Sequence, residues 1–225
     1  MADITVTING TQMTGPEGMT ILELARTNGI EIPTLCYLAE LSPVGACRLC
    51  VVEVENSRAL VGSCHTPIAK GMVIQTHSPK VLATRKVILE LLLASHAGFC
   101  WVCEKANVCE LRQRAANLDV GLPRFQARKR YYPVEDLSPY ITRDLSKCIL
   151  CRRCVGVCNE IVKHNVYGMG YRGFKGKVIV DFDQPINKEI CRDCGACIPL
   201  CPTGALDKPM TVRAEKPGKP LIIRG

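Results

Sequence analysis

Residues 3 to 8 alternate, with Ile4, Val6 and Ile8 as the apolar set, reach the turn pair Asn9-Gly10, and resume at Thr11 to Thr14. Alternation with period two around an Asn-Gly pair predicts a β-hairpin. Thr20 followed three residues on by Glu23 has the form of a capping box, with Ile21, Leu22 and Leu24 supplying apolar positions and Gly29 a terminator. A short helix is expected there. Further strands are expected at Val51 to Val54 and Val73 to Thr76. Ser78 as N-cap and Pro79 at the first helical position open a second helix, running to about Ser95. From about Leu118 to Asp144 the chain is rich in Pro, Arg and Tyr with little periodicity, which predicts a connecting arm wrapped over its neighbours. Val178-Ile179-Val180 between Gly-rich flanks predicts a hairpin. The tail after Leu206, with Pro209, Pro217 and Pro220, reads as extended.

The most apolar run, Val87 to Ala94, is too short to span a bilayer and contains Glu90. The N-terminus has no basic start followed by an apolar stretch, so the expectation is a protein of a reducing, cytoplasmic compartment without a transmembrane segment.

Cysteine changes this picture most. Fifteen cysteines in 225 residues fall into tight groups two or three residues apart, a spacing that converges on metal centres, whereas disulfides usually tie distant parts of a chain together. The balance of 29 basic against 21 acidic residues, formally +8, has the sign that a nucleic-acid partner would need. Fifteen thiolates around four oxidised iron-sulfur cores of about +2 each cancel most of that excess. No nucleic-acid partner is expected, and the basic run Arg128 to Arg130 reads as a solvated loop.

Four ligand sets account for every cysteine. Cys36, Cys47, Cys50 and Cys64, with ten, two and thirteen residues between successive members, suit a 2Fe-2S centre with small Gly45 and Ala46 leaving room for backbone N–H groups. The alternative is a four-cysteine zinc knuckle, against which the wide separation of the outer ligands counts. His96, Cys100, Cys103 and Cys109 form the second set, in HAGFCWVCEKANVC. Three cysteines leave a 4Fe-4S core one ligand short, and no sixteenth cysteine exists to complete it. A lone histidine is usually structural, but this one stands where the fourth ligand is missing. Neutral imidazole in place of thiolate should raise the reduction potential. His65, His77 and His164 lie outside such groups and are expected to be ordinary residues.

The remaining sets come from the one internal repeat found, CILCRRCVGVC at 148 to 158 and CRDCGACIPLCP at 191 to 202. In this bacterial-ferredoxin pattern the fourth cysteine of each run ligates the other cluster. Cys148, Cys151, Cys154 and Cys201 should hold one 4Fe-4S centre, and Cys191, Cys194, Cys197 and Cys158 the other. Asn159 stands where the second run has Pro202. GMGYRG at Gly168 to Gly173 satisfies the GxGxxG dinucleotide pattern, but a strand-like FKGKVIVDF follows where the fold needs a helix, so nucleotide binding is not expected.

Together these residues resemble the N-terminal part of the large iron-sulfur subunit of NADH dehydrogenase (respiratory complex I) and, more closely, the small iron-sulfur diaphorase subunit of NAD(P)-linked hydrogenases. HAGFCWVCEKANVC is the most specific part of the likeness. Similar modules begin iron-only hydrogenases and NAD-dependent formate dehydrogenases. Succinate dehydrogenase iron-sulfur subunits fit worse, lacking the segment with one histidine and three cysteines. The resemblance implies an α+β fold: a β-grasp 2Fe-2S ferredoxin domain at 1–78, a helical 4Fe-4S segment at 79–117, an arm at 118–142, a two-cluster ferredoxin domain at 143–207 and a tail at 208–225. It also implies a hetero-oligomer, in which a flavin-containing NAD(P)H-oxidising subunit passes single electrons through this chain to a hydrogenase or another catalytic subunit. With no molybdopterin-enzyme-like or hydrogenase domain after the ferredoxin region, a separate, non-catalytic connector is the expected role. A zinc-binding structural or nucleic-acid-binding protein is the competing reading.

Overall fold

A computed structural model describes residues 3–97 and 100–209. Strands β1 (Asp3–Ile8) and β2 (Thr11–Pro16) form the expected hairpin, Ile8 opposite Thr11. Asn9 and Gly10 both have positive φ, 50° and 84°, the combination that the twist of a two-residue hairpin needs. Helix α1 (Ile21–Thr27) starts at a complete capping box: the Glu23 N–H donates to Thr20 Oγ1 at 3.2 Å, and the Thr20 N–H donates to Glu23 Oε2 at 2.8 Å.

Strands β3 (Val51–Val54), β4 (Val61–Gly62) and β5 (Val73–Gln75) complete a five-stranded mixed sheet of order β2-β1-β5-β3-β4. β1 and β5 run parallel, and β3 is antiparallel to both of its neighbours. Ile21, Leu22 and Leu24 of α1 pack on Val6, Ile8, Val52 and Ile74 of the sheet. One face of the sheet is thereby closed, and the long segment between α1 and β3 is left free to carry cysteines.

Helix α2 (Pro79–Ser95) is capped by Ser78, whose Oγ accepts from the Val81 N–H at 3.3 Å. Its buried side carries Val81, Arg85 and Leu89, four residues apart, so a cation stands within an otherwise apolar stripe. Helix α3 (Glu110–Asn117) follows. The arm then crosses both neighbours: Arg124 grips Glu90 of α2 with two hydrogen bonds of 2.8 and 2.7 Å, Arg130 donates to the Gly176 carbonyl, and the Tyr132 N–H donates to Ser146 Oγ.

In the C-terminal unit β6 (Thr142–Arg143) pairs antiparallel with β9 (Leu206–Asp207), tying its two ends together. Helix α4 (Arg153–Gly156) runs on into a π turn over Val157–Ile161. Asn159, where the second run has proline, leaves its N–H free to continue this helix; Pro202 cannot do so. Strands β7 (Tyr167–Gly170) and β8 (Lys177–Val180) form the expected inserted hairpin. Within GMGYRG, Gly170 serves packing and Gly173 a turn with φ of 56°. A Cβ at Gly170 would meet the Ile179 side chain at 2.8 Å.

Arg143 is 1% exposed. Its guanidinium makes hydrogen bonds of 2.7 to 3.0 Å to Glu135, whose carboxylate also accepts from the Ile186 N–H. The two-residue ladders β4, β6 and β9 are too short to leave a periodic signal in sequence. Most of the extended tail, from residue 210 onward, lies outside the described residues, as do Gly98 and Phe99. Among the described residues no helix is long and apolar enough to cross a membrane.

Candidate iron-sulfur centres

All fifteen cysteines are free thiols. Those of the first set come from the loop between α1 and β3 and from the turn after β4. The Cys36 thiol stands beside Cys47 and the Cys64 thiol beside Cys50. The neighbouring thiol, and then burial, push Cys36 and Cys64 up, while the same closeness lowers Cys47 and Cys50 to about 6. The lowered members ionise first, and thiolate is the form that ligates metal. Two pairs of thiols suit a binuclear centre with two sulfur ligands on each iron. Arg48, between Cys47 and Cys50, has φ 58°, and the Leu35 N–H donates to Cys47 Sγ at 3.4 Å. Turns with positive φ aim successive N–H groups inward, toward negative charge.

His96 ends α2, and its backbone N–H still bonds to the last turn of that helix. Together with Cys100, Cys103 and Cys109, the N-cap residue of α3, it lines a cavity of about 610 Å³. Its Nδ1 is buried with no hydrogen-bond partner. Burial, and then Lys129, hold the imidazole below its ordinary pKa and hence neutral. A buried, unpartnered ring nitrogen on a residue that lines the same cavity as three thiols suits the missing ligand.

Cys148, Cys151, Cys154 and Cys201 line one further cavity, and Cys158, Cys191, Cys194 and Cys197 another. In each, three thiols of one run are completed by the fourth of the other. Arg152 and Gly195, at equivalent places in the two runs, have φ of 65° and 60°. The Leu150 N–H donates to Cys148 Sγ and the Val166 N–H to Cys158 Sγ, both at 3.4 Å. Burial pushes Cys151 and Cys197 up to about 12. Such thiols ionise once a cationic centre stands beside them. Among the described residues no three His, Cys, Asp or Glu side chains meet closely enough to hold a single metal ion; the donors of the last three sets line cavities instead. Thiol chemistry, inward N–H donors and the orphaned His96 nitrogen all fit iron-sulfur clusters.

The sites are physically joined. One buried cluster packs Leu35, Leu49, Leu89 and Leu111 around Cys36 and Cys47 of the first set, Cys109 of the second and Cys151 of the third. Ala97, Lys105 and Glu110 are pinned to the C-terminal unit, by Ala97 N–H to Ser146 O at 3.1 Å, Glu110 N–H to Pro202 O at 2.9 Å, and Lys105 to Asp207 at 2.8 Å.

Several residues at these sites escape a reading by ligand spacing. His65 does not stand apart from the first set, as expected of it. Its Nδ1 lies 3.5 Å from Cys64 Sγ, in a niche where a Cβ at Gly62 would meet the ring at 2.3 Å. Tyr167 brings its hydroxyl to 3.9 Å from Cys197 Sγ. Arg153 and Arg85, both buried, stand near candidate ligands, Arg153 near Cys151 and Cys36 and Arg85 near Cys50. The sequence did hold signals for three of them: His65 follows a cysteine, Arg153 precedes one, and Arg85 interrupts a buried helical stripe.

Residues 1–79 match the 2Fe-2S iron-sulfur cluster binding domain family. Residues 85–124 match the NADH-ubiquinone oxidoreductase-G iron-sulfur binding region, and 138–207 the ferredoxin-like domain of NADH-quinone oxidoreductase subunit 3. The chain is thus similar, region by region, to iron-sulfur cluster binding families and to parts of NAD(P)-linked hydrogenase and NADH-quinone oxidoreductase subunits. It is 41% identical over 211 residues to the NADP-reducing hydrogenase subunit HndD of Solidesulfovibrio fructosivorans, covering 92% of this chain and 36% of that one. Against the G 2 subunit of NADH-quinone oxidoreductase from Rhizobium meliloti the identity is 38%, over 90% of this chain and 24% of the relative. The chain thus spans about a third or less of these curated relatives. A crystal structure of NAD+-reducing [NiFe]-hydrogenase in the H2-reduced state superposes with a TM-score of 0.82 at 29% identity, covering 93% of this chain and 89% of that one.

Proposed function

We propose that this chain relays single electrons through one 2Fe-2S and three 4Fe-4S clusters, between a flavin-containing NAD(P)H-oxidising subunit and a hydrogenase in a cytoplasmic hetero-oligomer. The proposed ligands are Cys36, Cys47, Cys50 and Cys64 for the 2Fe-2S cluster, and His96, Cys100, Cys103 and Cys109 for the first 4Fe-4S cluster. Cys148, Cys151, Cys154 and Cys201 take the second, and Cys191, Cys194, Cys197 and Cys158 the third. The proposed organisation is a β-grasp domain over 1–78, a cluster segment over 79–117, an arm over 118–142 and a two-cluster ferredoxin domain over 143–207. The order β2-β1-β5-β3-β4, with β1 and β5 parallel, supports the β-grasp assignment.

What supports the reading most is that three of the four donor sets each line a cavity of their own, that the thiols of Cys36, Cys47, Cys50 and Cys64 act on one another, and that the four sets use all fifteen cysteines and His96 once. When bound, the clusters supply reversible one-electron chemistry. The chain's own residues bury most of the thiols wholly or in part, aim N–H groups at Cys47, Cys148 and Cys158 and hold the His96 pKa down by burial. The shared apolar packing of Cys36, Cys47, Cys109 and Cys151 keeps three sites adjacent and excludes water between them. Identity of 38% to a component of an NADH-quinone oxidoreductase favours, as a second reading, the same relay in a quinone-linked or other reductase complex.

Anaerobically purified protein should carry about fourteen iron atoms and about fourteen acid-labile sulfides per chain, the sum over the four clusters. Zinc without sulfide would sink the proposal. Isolation of the native complex and identification of its subunits separates the hydrogenase from the reductase reading.

A further inference from the structure

Arg85 is 1% exposed and lies on the face of α2 that packs against the sheet. Its Nη2 donates to the Val51 carbonyl at 2.8 Å, the residue directly after Cys50. Its Nε is buried with no hydrogen-bond partner. The other two deeply buried arginines each hold a carboxylate, Arg143 with Glu135 and Arg153 with Glu110. For Arg85, no carboxylate pairing is found among the described residues, and the charge acting on its guanidinium is that of Cys50. Burial lowers its pKa to about 10, which leaves it a full cation at neutral pH.

A buried charge without a counter-ion is costly and persists only where something opposite in sign compensates it. Thiolates around a 2Fe-2S core give a net negative site, and reduction makes that site more negative by one charge. A fixed cation in low dielectric therefore favours the reduced state more than the oxidised one. The Val51 hydrogen bond keeps the guanidinium from swinging out to water.

We propose that Arg85 is the fixed counter-charge of the 2Fe-2S centre at Cys36, Cys47, Cys50 and Cys64, and that it raises the reduction potential of that centre. This rests on the function proposed above. Because Arg85 belongs to α2, the helix that ends at His96, one element serves two centres: it supplies charge to the first and a ligand to the second.

The test is an EPR-monitored redox titration of the full chain carrying Arg85→Gln, Arg85→Met or Arg85→Lys. In the two neutral variants the one-electron equilibrium of the 2Fe-2S signal should move at least tenfold toward the oxidised form, about 59 mV lower in midpoint. Arg85→Lys, which keeps the charge, should restore most of that shift, and the 4Fe-4S midpoints serve as an internal control. An unmoved 2Fe-2S midpoint in a loaded neutral variant overturns the inference. So does a 2Fe-2S centre that fails to assemble in both neutral variants, which would make Arg85 structural only. If wild-type protein shows no 2Fe-2S signal at all, the proposed function fails instead.

Discussion

The Arg153 guanidinium, standing between Cys151 and Cys154, grips the carboxylate of Glu110, the residue after Cys109, with its Nη2 3.0 Å from Glu110 Oε2. The same guanidinium donates to the carbonyls of Tyr37, beside Cys36, and Leu200, beside Cys201. One buried side chain thus touches the surroundings of three ligand sets. Their adjacency depends on a charge pair as well as on apolar packing.

Glu110→Ala leaves Arg153 buried without its carboxylate. Loss of one partner from a buried pair costs about 3–5 kcal/mol. The measured midpoint of chemical unfolding should fall accordingly, and the EPR signals of the His96 and Cys148 sets should both change. A variant as stable as wild type would show that the pair contributes little.

Cys201→Ala should remove the 4Fe-4S cluster of the Cys148, Cys151 and Cys154 run, although residue 201 lies in the other run. Cys158→Ala should do the converse. Iron analysis should show about four atoms fewer in each case, and EPR should tell which cluster is missing. Loss of the Cys191 cluster in Cys201→Ala would mean that each run closes on itself.

His96→Ala should perturb one 4Fe-4S signal and leave the 2Fe-2S signal intact. His96→Cys, which replaces a neutral ligand with an anionic one, should lower the midpoint potential of that same cluster. Redox titration of both variants checks this, and unchanged spectra would remove His96 from the ligands.

Glu135→Ala strips Arg143 of its buried carboxylate and the Ile186 N–H of its acceptor. A loss of about 3–5 kcal/mol is expected from the broken pair alone. Thermal unfolding should report it while the 2Fe-2S spectrum stays unchanged, because Glu135, in the arm, bonds to Arg143 and Ile186 of the C-terminal unit, away from the β1–β5 sheet.

Local chemistry made much of this protein legible in its sequence. The Asn9-Gly10 turn, the Thr20–Glu23 box and the Ser78-Pro79 start each act within a few residues, so their elements follow from neighbours alone. Ligand groups two or three residues apart are legible for the same reason, and so is the vacancy that points to His96. Pairings between distant residues are not. That Cys36 faces Cys47 and Cys50 faces Cys64, or that Cys201 stands over the Cys148 run, depends on how loops and helices pack. The same holds for the charges. Arg85 and Arg153 look like surface residues by composition, and only the packing of α2 on the sheet and the pairing of Arg153 with Glu110 across α4 and α3 take them out of water, because desolvation and charge pairing exist only once separate parts of the chain have come together.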